Sequence, residues 1–556
     1  MQITTRTGAL SGETQTSTKA FTFSKSAYRT LSYVLIAIGI FFRLFHYIYN
    51  RSLWTDEMYL SLSFLKMDFL ELAVKPLEYQ QKAPIGFLWL VKLSVMAFGK
   101  QEMALRLIPL LSGIASLFFF KKVAERFLST AAVAAAVGIL ALAPPFIYHS
   151  VEIKQYGVEV LVTILALYLY VRYQHKKEIP QLIGWGIGGA LLIWFSYSSI
   201  FVLTGMALAI TINNIIRGRW KRAFLQAIPF SMWMLSFLMN FFLFTYQKTN
   251  SGWLIDWFDI RQAYLPIPPK SFADLSFLLQ MPYKMLFYPL GLLWEFVDVD
   301  NGVVRIIGRM GVISLTLWVV GMVFYIRKNP KVFMILFLPV LLAMVASAIR
   351  QYPFYERLIL FLCPLIIIFI AKGFDRISHT FSKTTYVQPV LLFLLLLGPL
   401  GTSAAQVADT NLFGGYKRNY QRDCWLYVNQ RFQPGDAVYV YWNIRYGYLF
   451  YKDSYDLRYD GIRGNDYRKV SQNAEDYLNN LNKDINNLKK YKRVWIVYEK
   501  DYWVDIGDYD GHPEWYWKNY SLRNKTLERF STLGKQSDVF DTKQARVVLV
   551  TVKQLK

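Results

Sequence analysis

Apolar runs of bilayer-spanning length recur through the first 405 residues, and they restrict this chain to one class of fold. The first covers residues 31–49, and others follow near 104–121, 129–148, 157–172, 181–196, 198–216, 224–246, 303–326, 332–350, 357–373 and 386–404. A helix needs about 20 apolar residues to cross the hydrocarbon core. Lipid offers no partner to a peptide group, so a segment lodged there must satisfy its own backbone, as a helix does. The expected fold is therefore an α-helical multispanning membrane protein. Composition agrees, because 54% hydrophobic and 18% charged residues over 556 positions are too apolar for an ordinary soluble protein.

Two further runs, 84–98 and about 275–297, carry charge or proline inside them: Lys92 in the first, and Pro282, Lys284, Pro289 and Glu295 in the second. Lys/Arg-rich loops stay cytoplasmic, and that rule decides how the two runs lie. If 84–98 crossed, the loop with Lys121, Lys122 and Arg126 would fall outside, and each later basic loop with it. If it lies along the interface, six basic segments become cytoplasmic together. They are the tail with Arg6, Lys19, Lys25 and Arg29, then Lys121 to Arg126, Arg172 to Lys177, Arg217 to Arg222, Arg327 to Lys331, and Lys372 to Lys383. This second arrangement gives eleven spans with two interfacial helices on the outer side. The first run lacks a small-x-small cleavage site and is read as a retained helix after a flexible cytoplasmic tail. The net charge of +24 then belongs to loops facing anionic membrane lipids, and no nucleic-acid partner is expected. Two cysteines, Cys363 and Cys424, make no disulfide framework.

The same parity places residues 50–103, 149–156, 247–302, 350–357 and everything after about 405 on the outer face. Asp56, Glu57, Lys82, Glu152, Lys154, Arg350, Glu356 and Arg357 thereby share one side. Ionisable groups at the mouth of a span are costly unless used or solvated. A carboxylate in a partly dry cleft can take a proton from a hydroxyl, and a lysine is a suitable point charge for phosphate. The plainer alternatives are that Asp56 and Glu57 favour the first turn of an amphipathic helix starting near Met58, and that Lys82 snorkels. The aromatics Tyr246, Trp253, Trp257, Tyr264, Tyr283, Tyr288 and Trp294 read as an interfacial belt in preference to a sugar-stacking surface.

Beyond about residue 405 the chain turns polar, and residues 406–556 read as a separate small α/β domain behind the membrane domain, 1–405. Residues 437–442, 493–498 and 545–552 are continuous apolar runs flanked by turns, the pattern of buried, parallel strands. Residues 466–490, with Leu478, Leu481 and Leu488, suit a surface helix. The cluster Trp503, Trp515, Tyr516, Trp517 and Tyr520 is open between carbohydrate stacking, core and membrane rim.

Several elements occur in a recognisable order. Trp54-Thr55-Asp56-Glu57-Met58-Tyr59 follows the first span, then Lys82-Ala83-Pro84, Ala104-Leu105-Arg106-Leu107-Ile108-Pro109, Pro144-Pro145, Ser150-Val151-Glu152-Ile153-Lys154-Gln155-Tyr156, and Pro353-Phe354-Tyr355-Glu356-Arg357. Over roughly residues 30–375 this resembles the C-type (GT-C fold) integral membrane glycosyltransferases, in particular the protein-O-mannosyltransferase-like branch and the lipid A aminoarabinose transferases. The resemblance implies transfer of a monosaccharide, with inversion, from a polyprenyl-phosphate donor to an acceptor hydroxyl on a glycan, lipid or protein. It implies Asp56 as catalytic base and Lys82 on the donor phosphate, with Arg357 as a second phosphate ligand. Glu57, Glu152, Lys154, Tyr156 and Tyr355 complete the implied substrate-binding set. It also implies a bacterial inner (plasma) membrane location, with the N-terminus cytoplasmic and the C-terminal domain periplasmic.

The chain departs from the family pattern in three places. Lys154 stands where arginine is commoner, Ala83 replaces the first proline, and Gln81 stands where some relatives carry an acidic residue that helps bind metal. No two of the five histidines have ligand spacing. Metal dependence stays open, with a divalent cation as the one cofactor to consider. Two other readings use a similar basic groove. A flippase or transporter of lipid-linked sugars predicts broken or charged mid-membrane helices and related halves, and a glycan ligase or polymerase predicts a larger product per turnover.

Overall fold

The computed structural model describes residues 24–245, 252–295, 309–381, 386–415, 417, 419–500, 513–517 and 521–553. The expected tail up to residue 23, Lys383, Tyr246, Trp503 and Tyr520, and the side chains of Trp253 and Trp517, lie outside the described residues.

The chain opens with α1 (Lys25–Tyr49), α2 (Thr55–Lys66), α3 (Phe69–Val74), α4 (Ile85–Phe98), α5 (Glu102–Phe127), α6 (Thr130–Leu142), α7 (Pro144–Tyr148) and α8 (Tyr156–Tyr173). Among the described residues nine helices are long and apolar enough to cross a membrane, and each falls on an expected span. The other two expected spans fall on the apolar helices Thr130–Leu142 and Ile179–Phe195, which, like Ile85–Phe98, are shorter than a full span. The first of these, α6, is an Ala-rich helix buried from Ala131 to Leu142. Small residues let neighbouring backbones approach closely, which is how helices associate where no hydrophobic driving force separates them from lipid.

The end of α6 shows how sequence fixes geometry. Pro144 and Pro145 have no N–H, so the carbonyls of Leu140 and Ala141 lose their partners one turn on. Arg43, buried in α1, donates to both at 3.0 Å, and Ser403 Oγ donates to the Leu142 carbonyl at 2.6 Å. The helix can therefore break into α7 inside the protein and turn the chain toward the loop at 149–155.

Helix α4 has 14 residues and differs from the similarly short, buried α6 in having one exposed face. It buries Phe87, Leu88 and Val91 and exposes Trp89, Leu93, Met96 and Phe98. The helix Phe272–Phe287 likewise exposes Phe272 and Leu279. Both have the one-sided apolar surface expected of interfacial helices.

The C-terminal region carries a five-stranded sheet of β1 (Ala437–Val440), β2 (Gly461–Arg463), β3 (Arg493–Glu499), β4 (Gly534–Asp541) and β5 (Ala545–Val552), in the order β2-β1-β3-β5-β4. Strands β1, β2 and β3 are parallel, as expected of the first two runs. The third run departs from expectation, because β5 pairs antiparallel with both β3 and β4. A continuous apolar run reports burial and says nothing of direction, whereas the three-residue connection from β4 forces a hairpin. The helix Ala474–Leu488 buries Leu478, Leu481 and Leu488 as expected. Tyr516 packs with Tyr477 and Trp442 in this region's core, which removes it from a carbohydrate-stacking surface.

This region grips the first outer loop. Tyr451 Oη accepts the Leu53 N–H at 3.0 Å, and Arg422 reaches the Asn50 carbonyl at 2.7 Å and Glu102 at 3.2 Å. Tyr59 and Tyr79 stack at 3.8 Å between ring centres, with Tyr446 of the C-terminal region edge-on to both.

Candidate active site

Asp56 and Glu57 are adjacent in the first turn of α2 but point into different surroundings. Glu57 is fully buried. Its oxygens accept from Arg51 Nη1 at 2.8 Å, from Arg106 Nη2 at 3.1 and 3.2 Å, from the Ile153 N–H at 2.9 Å and from the Trp54 N–H at 3.3 Å. Glu57, expected in the substrate-binding set, acts as a clamp in this structure. It ties the loop after α1 to α5 and to the loop before α8, and both oxygens are occupied.

The Asp56 side chain is 17% exposed. Arg357 Nη2 lies 2.5 Å and Lys154 Nζ 3.7 Å from its Oδ2. Burial by itself would raise this carboxyl; Lys154 and Arg357 outweigh burial and hold it below the usual carboxylate range. The guanidinium of Arg357 sits between the rings of Trp54 and Tyr156, at 5.3 and 5.4 Å from their centres. Such cation–π contacts fix the fork toward Asp56.

Lys154 also donates to Gln81 Oε1, and Gln155 Nε2 reaches the Lys82 carbonyl at 3.5 Å. The segment carrying Lys82 is thus drawn to the same loop that carries Lys154. Lys82 is partly buried and makes no side-chain hydrogen bond or ion pair among the described residues; burial lowers its pKa. Two consecutive non-glycine residues just before it, Tyr79 and Gln80, have left-handed backbone (φ 55° and 50°), and Glu356, just before Arg357, does too (φ 37°). Left-handed non-glycine residues cost energy and persist where surrounding structure imposes them, often at functional sites. Tyr355 is partly exposed, and burial with the neighbouring Glu356 carboxylate pushes its phenol up to about 12.

Glu152, expected to line the cavity, is fully buried one layer behind. It accepts from Trp54 Nε1 at 3.1 Å and from His149 Nδ1 at 2.6 Å. His149 Nε2 meets the Tyr288 hydroxyl, and Lys417 Nζ reaches that hydroxyl at 3.4 Å. Burial lowers His149 against the pull of Glu152. Burial would raise Glu152, but His149, Lys417 and Arg357 hold it well below the carboxylate range. A neutral imidazole with its proton on Nδ1 satisfies both contacts, donating to Glu152 and accepting from Tyr288. Gly157 permits this fold-back, since a Cβ there would stand 2.5 Å from the His149 carbonyl.

Of the expected site residues, the structure brings Asp56, Lys154, Tyr156 and Arg357 together, and the Lys82 backbone carbonyl meets Gln155 in the loop that carries Lys154. Trp54, Arg51, Arg106, His149, Tyr288 and Lys417 were not assigned roles from sequence. Arg106 carried a usable signal as a lone arginine in a spanning run. Tyr288 had been placed in the interfacial belt, and nothing local marks its reach of 139 residues back to His149.

A divalent cation does not fit the donor set around Asp56. Its nearest partners are two cations, the Gln81 oxygen is taken by Lys154, and Glu57 and Glu152 are committed elsewhere. Among the described residues no group of three His, Cys, Asp or Glu side chains could hold a metal.

Residues 82–252 match the model of the dolichyl-phosphate-mannose-protein mannosyltransferase family. No curated protein matches the chain in sequence. Among solved structures, it is similar to ArnT from Cupriavidus metallidurans in the apo state, at 14% identity and a TM-score of 0.53, covering 93% of this chain and 97% of that one. ArnT bound to undecaprenyl phosphate aligns over the same shares at 14% identity and a TM-score of 0.51. The Archaeoglobus fulgidus oligosaccharyltransferase, in a complex with zinc and sulfate, aligns at 12% identity and 0.52, covering 89% of this chain and 70% of that one. The chain therefore has the GT-C fold of the integral membrane glycosyltransferases, and residues 82–252 carry a mannosyltransferase-family signature.

Proposed function

We propose that the protein is a glycosyltransferase that moves one monosaccharide from a polyprenyl-phosphate donor to an acceptor hydroxyl, with inversion. The observation that carries this reading is the pair of cations Arg357 and Lys154 within 3.7 Å of one Asp56 carboxylate oxygen, with the Lys82 backbone tied to the loop that carries Lys154. Two cations on one carboxylate exceed what that carboxylate needs. An arriving donor phosphate competes for Arg357 and Lys154, with Lys82 as a third ligand. Asp56 loses its cation partners in the exchange, and its proton affinity rises when a base is required.

The acceptor oxygen then attacks the anomeric carbon, the bond from that carbon to the phosphate oxygen breaks, and the acceptor proton passes to Asp56. Polyprenyl phosphate leaves with its added charge held by the three cations, as charge developing in a transition state requires. One displacement inverts the anomeric centre. The family signature and the undecaprenyl phosphate held by the similar ArnT support a lipid-phosphate donor. The chain then works from a membrane with the Asp56 end outward and the basic loops in the cytoplasm.

The test is turnover of purified protein in nanodiscs with a defined polyprenyl-phosphate sugar. Asp56→Asn is expected to lower turnover by about 10²–10⁴, the usual worth of a positioned base. Near wild-type turnover in that variant removes the base assignment, and retention at the anomeric centre, read by NMR, removes the single displacement.

A further inference from the structure

A charged cavity lies at the end of the bundle opposite Asp56. Helices α5 and α8 begin at the Asp56 site; α5 runs 26 residues, roughly 39 Å, before its last turn reaches this cavity. The cavity holds about 410 Å³. Five cations line it, Arg126, Arg217, Arg219, Arg222 and Lys331, and no Asp or Glu does. Among the described residues none of the five has a carboxylate within ion-pair distance, whereas Lys121 and Lys372, at the same end of the bundle, each have one.

The floor is built. Asn213, Asn214, Gln174 and Gln226 are each at most 8% exposed. Asn214 Nδ2 donates to Gln226 Oε1 at 2.6 Å, which sets both amides. Gln174 holds two cations at once: its side-chain oxygen accepts from Lys331 Nζ at 3.1 Å, and its carbonyl accepts from Arg222 Nη2. Arg222 Nε is shielded from solvent and has no partner among the described residues. His175 on the wall is pushed down by burial and by Lys331, Arg222 and Arg126, so the field there is positive.

Cations crowded without carboxylates repel one another unless an anion joins them. Guanidinium forks beside an ammonium suit phosphate, which accepts from several donors at once. We propose that this cavity is a phosphate-binding site, separate from the Asp56 site and taking either the phosphodiester headgroup of an anionic lipid or a free phosphate. Basic pockets between spans at a cytoplasmic face are where headgroups of such lipids bind.

The full-length protein in phosphatidylcholine nanodiscs, with and without cardiolipin, distinguishes the two sources. Native mass spectrometry counts retained cardiolipin, and calorimetric titration with inorganic pyrophosphate measures the soluble arm. Two double variants are compared with wild type: Arg222→Gln with Lys331→Gln at the floor, and Arg217→Gln with Arg219→Gln at the rim. Each cation is worth roughly fivefold near a charged surface, so either pair should weaken binding by about 25-fold. Cardiolipin retention lost in the variants assigns a lipid headgroup, and pyrophosphate binding lost in them assigns a soluble phosphate. No binding in either arm overturns the proposal, as does binding that neither variant weakens. If the floor variant fails to fold, judged by gel filtration, the rim variant decides.

Discussion

The neighbours Asp56 and Glu57 should respond oppositely to the same conservative change. Glu57→Gln keeps the side-chain volume and deletes the charge that compensates Arg51 and Arg106, both at most 9% exposed. Its amide nitrogen must also confront a donor, because Arg51, Arg106 and two backbone N–H groups occupy both oxygens. Removing one partner of a buried ion pair costs about 3–5 kcal/mol. At about 2 °C per kcal/mol, the thermal midpoint should fall by roughly 6–10 °C. Asp56→Asn removes one anion from between two cations where the side chain is still 17% exposed, so its midpoint should move by only about 2–4 °C while turnover collapses. The assay is intrinsic tryptophan fluorescence on heating, in detergent, with turnover measured on the same preparations. A Glu57→Gln protein as stable as wild type would refute the clamp, and equal destabilisation by both changes would refute the division of labour.

Other outcomes follow from the same geometry. Lys82→Met should raise the KM for the lipid-phosphate donor by about tenfold or more, with Lys82→Arg recovering part of it; steady-state kinetics at varied donor concentration reads this. Arg43→Met should lower stability by about 2–5 kcal/mol, because two buried carbonyls lose their donor, and thermal unfolding checks it. Burial lowers Lys417 to about 8, so the folded state binds fewer protons than the unfolded chain between about pH 8 and its ordinary 10.5. The cost of charging Lys417 is present in full below pH 8 and fades as pH rises, so stability should increase from pH 8 to 10.5 by about 3 kcal/mol at most. Lys417→Gln should flatten that rise in denaturation curves taken across the range.

Much of this protein was legible one residue at a time. Apolar runs of fixed length locate helices because lipid leaves the backbone no other partner. The position of basic loops then sorted Asp56, Lys82, Lys154 and Arg357 to one end of the bundle. The resemblance at Trp54–Tyr59 and Lys82–Pro84 drew attention to the first outer loop. The fate of each charge was not legible, because it depends on what approaches from elsewhere in the chain. Glu57 and Asp56 differ only in that Arg106 and the Ile153 N–H reach the first and Arg357, 301 positions away, reaches the second. Strand direction in β5, the Glu152–His149–Tyr288 chain and the carboxylate-free cavity at the far end are likewise long-range outcomes. Sequence by itself determined which segments are helices and which residues share a face of the bundle, since periodicity and charge act locally. Only the tertiary structure decided which charges are paired, buried or left for a ligand, since a charge's energy is set by partners and dielectric that distant segments bring to it.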